Sequence, residues 1–476
     1  SIDWSDAIGA SQDLLNAGYI GANSYASPDD KIIGMFGRAN LVINNKYFVN
    51  ASVRREGSSR FGADNRWGLF PSFGVGADLN EILGLGVRKL KVRASTATTG
   101  ALPGATGLTA QARTFVYDGG GSAGGSTVLA RGANPDLKWE EKNEFNFGIE
   151  YETERLSLDF DVYNRVIKDF ILNQQVDVAV YGVDRRFQNA GQVTSSGWEF
   201  KAEYDVIKND KLSYNSGLIL YNNKVVLDEF SNELAQYGFL GSPGQNAVTM
   251  VRVKVGDKLG NIYGPVFQGV NADGSPQFED VTRDGTLNTD SGNVLQDDYD
   301  GRVLGTAYPT LEMSWSNVLE FGDGWKLNAF FRGAFGHSLI NTFRAFYEPN
   351  VPSQTSYNQM NTSLREPNLA VAQYSSLYVE KADFFLLDNL TLSKQIFFPE
   401  GSGIKDLTVS LNALRPFVIT SYTGTDPSPE LFDALGGGEE GVEAGSDGAA
   451  LLAPGIDRRQ DYFASKTFSI GLSVNF

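Results

Sequence analysis

Phe468-Ser469-Ile470-Gly471-Leu472-Ser473-Val474-Asn475-Phe476 closes the sequence, and its reading decides the fold. Phe468, Ile470, Leu472, Val474 and Phe476 fall on one side of an extended chain; Ser469, Gly471, Ser473 and Asn475 fall on the other. A period of two is that of a β-strand with one apolar and one polar face. Two settings accept such a strand: a membrane barrel, whose apolar face meets lipid, and a half-buried sheet of a soluble sandwich. The rest of the chain separates them.

The same alternation recurs upstream. Tyr47, Val49, Ala51 and Val53 alternate with Phe48, Asn50, Ser52 and Arg54, and Phe145, Phe147, Ile149 and Tyr151 with Glu144, Asn146, Gly148 and Glu150. Leu156, Leu158, Phe160 and Val162 oppose Ser157, Asp159 and Asp161; Trp198, Phe200, Ala202 and Tyr204 oppose Glu199, Lys201 and Glu203. Leu327, Ala329, Phe331 and Phe335 oppose Lys326, Asn328 and Arg332. Charges on the second face exclude a sheet that is dry on both sides. The connections segregate by length: 44–46, 152–155, 206–211 and 322–324 are short, whereas 101–141, 223–306, 337–382 and 420–462 are long. The long ones are rich in Gly, Asp, Ser and Pro, one reading GGGEEGVEAG at 436–445. Compact soluble domains have no reason for this rhythm, whereas a barrel of the bacterial outer membrane has tight periplasmic turns and extended outer loops.

Composition agrees. The 476 residues include 53 Gly, 31 Phe, 20 Tyr and 6 Trp, a profile of β-barrels and propellers rather than helical bundles. The absence of cysteine excludes disulfides, zinc–thiolate sites and thiol nucleophiles. A net charge of −17 repels phosphate backbones, which argues against nucleic acid as a partner. No stretch approaches the run of about 18 apolar residues that a membrane helix requires. A barrel hides its lipid face in alternation, so this does not argue against a membrane location. Residues 1–10 contain Asp3 and Asp6 and lack the basic start and apolar core of a signal peptide.

About thirteen strands are expected between Ile32 and Phe476. With short turns on the periplasmic side, residues 1–31 form an extracellular loop segment and Phe476 ends inside, which requires an odd number of strands. Bacterial single-chain barrels close with an even number. The expected fold is therefore all-β: residues 32–476 form the C-terminal part of a transmembrane antiparallel β-barrel that does not close by itself.

Five segments carry a resemblance: RREGSSRFG at 54–62 continued by NRWGLFPS at 65–72, NPDLKWE at 134–140, YGPVFQG at 263–269, YVEKADF at 378–384, and the terminal strand. In order and spacing they resemble the C-terminal half of SusC/RagA-type TonB-dependent outer-membrane transporters of Bacteroidota. The chain departs from that family's pattern at Ala101, after Thr99-Gly100, and at Asn412-Ala413-Leu414. The resemblance implies a barrel of about 22 strands with a plug in its lumen. It also implies a SusD-like surface lipoprotein as partner, outer-membrane lipid around the barrel, and contact with TonB through an N-terminal part outside these residues. It leaves open whether transporter units pair into dimers. The implied function is TonB-dependent import of bulky nutrients, glycans or oligopeptides. The alternative is a non-transporting barrel that serves as a structural or docking component of a larger surface assembly.

Individual residues offer little chemistry of their own. The 54–62 run lacks the Lys and helix start of a phosphate-binding loop and reads as a strand-to-loop transition, with Arg60 and Arg66 in ion pairs. Asp280, Asp284 and Asp290 are the candidate ligands of a structural calcium ion, with Thr282, Asp297 and Asp298 nearby. Position twelve of that loop is Ser291 rather than Glu, so an Asp/Gly turn is the competing reading. His337, the sole histidine, follows a strand and is read as a structural residue at a solvated loop entry. Without a second histidine or a serine elbow motif, no catalytic set is assigned and the chain is not read as an enzyme. Trp67, Trp139, Trp198, Trp315 and Trp325 are expected in interfacial girdles. Tyr117, Tyr181, Phe346 and Tyr347 are the loop aromatics available to a ligand.

Overall fold

A computed structural model describes residues 2–4, 20–24, 30–103, 112–117, 125–183, 185–231, 234–242, 245–290, 296–351, 360–399, 401–428, 453–459 and 464–476. Thirteen strands form one sheet. They are β1 (Ile32–Ile43), β2 (Tyr47–Ser58), β3 (Trp67–Asp78), β4 (Lys89–Ala101), β5 (Glu140–Glu152), β6 (Leu156–Gln175) and β7 (Arg185–Asn209). They continue as β8 (Leu212–Phe230), β9 (Leu311–Phe321), β10 (Trp325–Phe335), β11 (Phe384–Phe397), β12 (Asp406–Thr420) and β13 (Thr467–Asn475). Spatial order follows chain order and every neighbouring pair is antiparallel, so the sheet is one continuous meander. No ladder joins β1 to β13, so the sheet is open, as parity requires.

Paired residues share a face of a sheet, so register carries each strand's alternation to its neighbours. One row runs Leu41, Val49, Val75, Ala94, Phe147, Val162 and Trp198. Another runs Ile149, Phe160, Phe200, Leu220 and Met313. The opposite face carries Arg93, Gly148, Asp161, Glu199, Tyr221 and Glu312 in one row. An apolar belt thus lies on one side and a charged wall on the other. Ile470 and Leu472 remain more than two-thirds exposed, which only a lipid surround makes favourable.

The turns lie where the rhythm placed them. Between β1 and β2, Asn44 and Asn45 have φ of 53° and 57°, the left-handed pair of a tight hairpin turn that Asn tolerates. The β3–β4 connection contains a helix, α1 (Leu79–Leu83). Asp78 caps it by accepting from the Asn80 and Glu81 amides, and Gly84 ends it at φ 68°. The β7–β8 turn is shorter than the expected 206–211, because β7 continues to Asn209. Long connections all fall on the other side. There Leu234–Ser242, Gln245–Lys254, Asn261–Gly264 and Arg302–Thr306 form a four-stranded sheet. Ser338–Asn341 pairs with Val379–Lys381 and Ile456–Asp457. Ile2–Trp4 and Ile20–Ser24 join Ala112–Tyr117 and Gly125–Arg131, the last two belonging to the β4–β5 connection. The acidic run at 436–445 lies outside the described residues.

Candidate functional site

Two regions carry the molecule's polar chemistry: the charged wall and the rim of outer loops. On the wall, Arg93 reaches Asp161 at 2.6 Å and Glu150 at 3.2 Å, and Lys89 also pairs with Glu150. Arg165 meets Glu144 at 2.8 Å, Arg332 meets Asp388 at 2.9 Å, and the Tyr221 hydroxyl donates to Glu312 at 2.7 Å. Gly148 stands between Arg93 and Asp161 in the row; a Cβ there would lie 2.5 Å from Asp161 Oδ1 and 2.9 Å from Arg93 Nε, so a larger residue would push the pair aside. These side chains are partly exposed, and each pair contributes at most about 1 kcal/mol. Their collective effect is a hydrated surface of alternating charge without a deep single-sign well.

The rim is built differently, around charges withdrawn from water. Arg344 is 1 % exposed and lies in α3 (Thr342–Tyr347), following α2 (Val178–Tyr181) in the chain. Its Nε donates to both oxygens of Glu348 at 3.0 Å, and its Nη1 donates to Glu380 at 3.0 Å and to the Leu377 carbonyl at 2.8 Å. Its Nη2 donates to the Leu364 carbonyl at 2.9 Å. Glu380 also accepts from Asn341 Nδ2 and from the amide and hydroxyl of Thr423. Asp457 accepts from Tyr422 at 2.6 Å and from the Thr425 amide at 3.0 Å. The β10–β11 and β12–β13 connections are thereby locked together. Tyr374, Tyr378 and Ile340 pack beside them against the sheet that contains Met250 and Ile262. Burial pushes the Tyr374 and Tyr378 hydroxyls well above the ordinary phenol value.

Four of the five sequence segments place residues in this rim, whereas the terminal one is β13 of the sheet. In NPDLKWE, Leu137 and Trp139 are buried with Phe61 and Phe70, and the Trp139 indole donates to the Arg66 carbonyl at 3.0 Å. Asn134 donates to Phe187 O at 2.8 Å and Asn65 to Asp136 O at 2.9 Å, tying the β2–β3 loop to the outer end of β7. Arg60 pairs with Asp30 at 2.5 Å and donates to the Pro103 carbonyl, the loop-to-loop pair expected of it. Arg66, also expected in an ion pair, makes none among the described residues and acts through its backbone carbonyl, which accepts from Trp139 and the Ser58 amide. The Tyr263 ring lies tilted beside Tyr299, 6.1 Å between centroids, and Glu380 and Tyr378 of YVEKADF belong to the Arg344 network.

The aspartate loop is a set of turns. Asp280 accepts from the amides of Arg283 and Gly285, and Asp284 accepts from the Thr286 amide and hydroxyl. Asp300, not singled out in the sequence, closes the loop by accepting from the amides of Thr282 and Asn288, both at 2.9 Å. Burial alone would raise the Asp300 pKa, but these donors outweigh it and hold the carboxylate below its ordinary value. Among the described residues no three acidic or histidine side chains gather as a metal site.

Two further expectations fail. His337 is buried at 1 % exposure rather than solvated; its Nε2 hydrogen-bonds the Pro427 carbonyl at 2.8 Å while Nδ1 has no partner. Pro427, in the β12–β13 connection, lies over it, which no local pattern announces. Burial lowers its pKa, against the opposing pull of the Pro427 carbonyl and the Asp383 and Glu312 carboxylates. Trp139 is a rim core residue and not part of a girdle, and Trp198 and Trp315 sit mid-strand; only Trp67 and Trp325 stand exposed at opposite ends of the belt. Phe346 and Tyr347 lie edge to face on α3 with Arg459 over Phe346, and Tyr181 carries Arg186 over its ring.

An open antiparallel sheet with a greasy outer belt, a charged inner wall and a fastened rim on one side defines part of an outer-membrane β-barrel. Residues 1–252 match the family described as TonB dependent receptor-like, beta-barrel, and the chain belongs to that family, one of transporters rather than enzymes. It is 24% identical over 429 residues to TonB-dependent receptor P3 of Formosa agariphila, covering 84% of this chain and 42% of that protein. It is 25% identical over 483 residues to TonB-dependent receptor SusC of Bacteroides thetaiotaomicron, covering 94% of this chain and 44% of that one. Among solved structures it superposes on the RagAB peptide transporter with a TM-score of 0.74 at 21% identity, over 94% of this chain and 47% of that chain. The chain thus spans less than half the length of these relatives.

Proposed function

We propose that this chain is the C-terminal barrel part of a TonB-dependent importer that carries bulky nutrients, oligopeptides or glycans, across the outer membrane. The observation that carries the reading is the two-faced open sheet: both edge strands are exposed along their length and await further strands, while the inner wall is charged. In this proposal the rest of the barrel and a plug come from the remainder of a longer polypeptide, and the plug rests on the Arg93, Glu150 and Asp161 wall. TonB engages that N-terminal part by adding a strand to it. A SusD-like lipoprotein covers the rim held by Arg344, because a stiff rim gives a lid a fixed seat. Likeness to SusC and to the RagAB peptide transporter supports both the partner and the cargo class.

The test is deletion of the whole gene followed by growth on defined oligopeptides and glycans. Lost growth on an oligomer, with growth on its monomers intact, is the expected result. Unchanged uptake of every oligomer refutes import. Affinity purification of the full-length protein is expected to bring down a lipoprotein lid; other partners in its place would favour a docking barrel.

A further inference from the structure

We propose that the outer face of β10 to β13 holds one anionic glycerophospholipid of the periplasmic leaflet. Three observations converge there, given that this face is the lipid face. First, a hollow of about 570 Å³ indents the belt. Leu327, Leu392, Leu411 and Ile470 form one cross-strand row of its lining, and Leu390, Ala413 and Phe468 form the next. Ala413 is the smallest of these, flanked by larger side chains, and the hollow has room for an alkyl chain.

Second, the adjoining row toward the short-turn side runs Trp325, Lys394, Val409 and Leu472. Lys394 therefore projects from the apolar face. Its Nζ lies 5.6 Å from the Trp325 ring centroid, and no acidic side chain pairs with it among the described residues. A lysine in a hydrocarbon belt is unfavourable unless its ammonium extends to an interfacial anion. Trp325 is the first residue of β10, directly after the turn at 322–324, which places this row at the periplasmic interface.

Third, a polar hollow of about 320 Å³ opens at that same corner, lined by the cations Lys211 and Lys326, by Trp325 and Gln395, and by the carboxylates Asp210 and Glu320. Trp325, which the Lys394 ammonium overlies, also lines this hollow, so the apolar hollow, the ammonium and the polar hollow adjoin at the short-turn end of the face. That is the order of acyl chain, phosphate and glycerol headgroup. A second copy of the chain fits less well, because its apolar belt would bring no anion to Lys394.

Native mass spectrometry of the full-length protein, with phosphatidylglycerol and phosphatidylethanolamine as probes, tests this. Wild type is expected to retain phosphatidylglycerol about fivefold more than phosphatidylethanolamine, the preference one interfacial lysine gives. Lys394→Gln is expected to abolish the preference, and Ala413→Phe to fill the hollow and reduce retention of both lipids. Folding is verified by heat-modifiable gel migration; if Ala413→Phe does not fold, Lys394→Gln decides. Equal retention of the two lipids by wild type, or an unchanged preference in Lys394→Gln, overturns the proposal. Loss of a dimer in Ala413→Phe with lipid retention intact also overturns it and gives the face to a second copy.

Discussion

Replacing Arg344 with methionine tests whether the rim is held by one buried guanidinium. The side chain makes five hydrogen bonds, to two carboxylates and two carbonyls, at 2.8 to 3.0 Å. Its ion-pair partners Glu348 and Glu380 are only 4% and 8% exposed. Methionine fills much of the same volume, so the cost is electrostatic: two carboxylates stay buried without their cation. Removing one member of a buried pair costs about 3–5 kcal/mol. Glu380 retains donors from Asn341 and Thr423, so Glu348 suffers most. Hydrogen exchange on the full-length protein reads this directly, because amide protection scales with the free energy of local opening. Residues 338–348 and 377–382 are expected to exchange faster by roughly two to three and a half powers of ten, while β2 to β6 are unaffected. The double variant Arg344→Met, Glu348→Gln is expected to recover more than half of the protection, since it removes the stranded charge. A loss below about 1 kcal/mol, or a double variant no better than the single, refutes the reasoning.

Face assignment is tested by neighbours in β7. Phe200→Arg is expected to cost about 2–4 kcal/mol in a lipid-refolding equilibrium, and Glu199→Arg, pointing to the charged wall, about 0–1; equal costs would mean the faces are misassigned. Trp139→Ala is expected to cost about 3–5 kcal/mol, read as a lower unfolding temperature with faster proteolysis of the 59–66 loop, and Trp139→Phe less, because it keeps packing while losing the bond to Arg66. His337 gives the rim a pH dependence. Burial lowers its pKa in the folded state, so the opened loop binds the proton more tightly, and protection is full above the ordinary value of 6.5 and falls as pH drops through it. His337→Gln is expected to flatten that decline in hydrogen exchange between about pH 7 and 5; an unchanged slope would show that another group titrates.

The sequence by itself determined the sheet. Alternation at Phe145 to Tyr151 or Leu156 to Val162 depends only on the two-residue repeat of extended backbone. Short Asn, Asp and Gly turns set antiparallel neighbours, so strand number, order, both faces and the open edges followed from local pattern. The motif at 134–140 also announced itself, though as a likeness and not as a mechanism. Only the tertiary structure decided what the long connections do. Nothing in the local pattern singled out Arg344 or Glu348, and Trp139 read as an interfacial aromatic, because burial there comes from segments distant in the chain folding over them. The same holds for His337, which Pro427 covers from another loop, and for Asp300, which closes a turn from 18 residues downstream of Thr282. Periodicity records the environment of a residue only when its own strand creates that environment. Where distant loops create it, the sequence supplies the side chains and the fold alone supplies their surroundings.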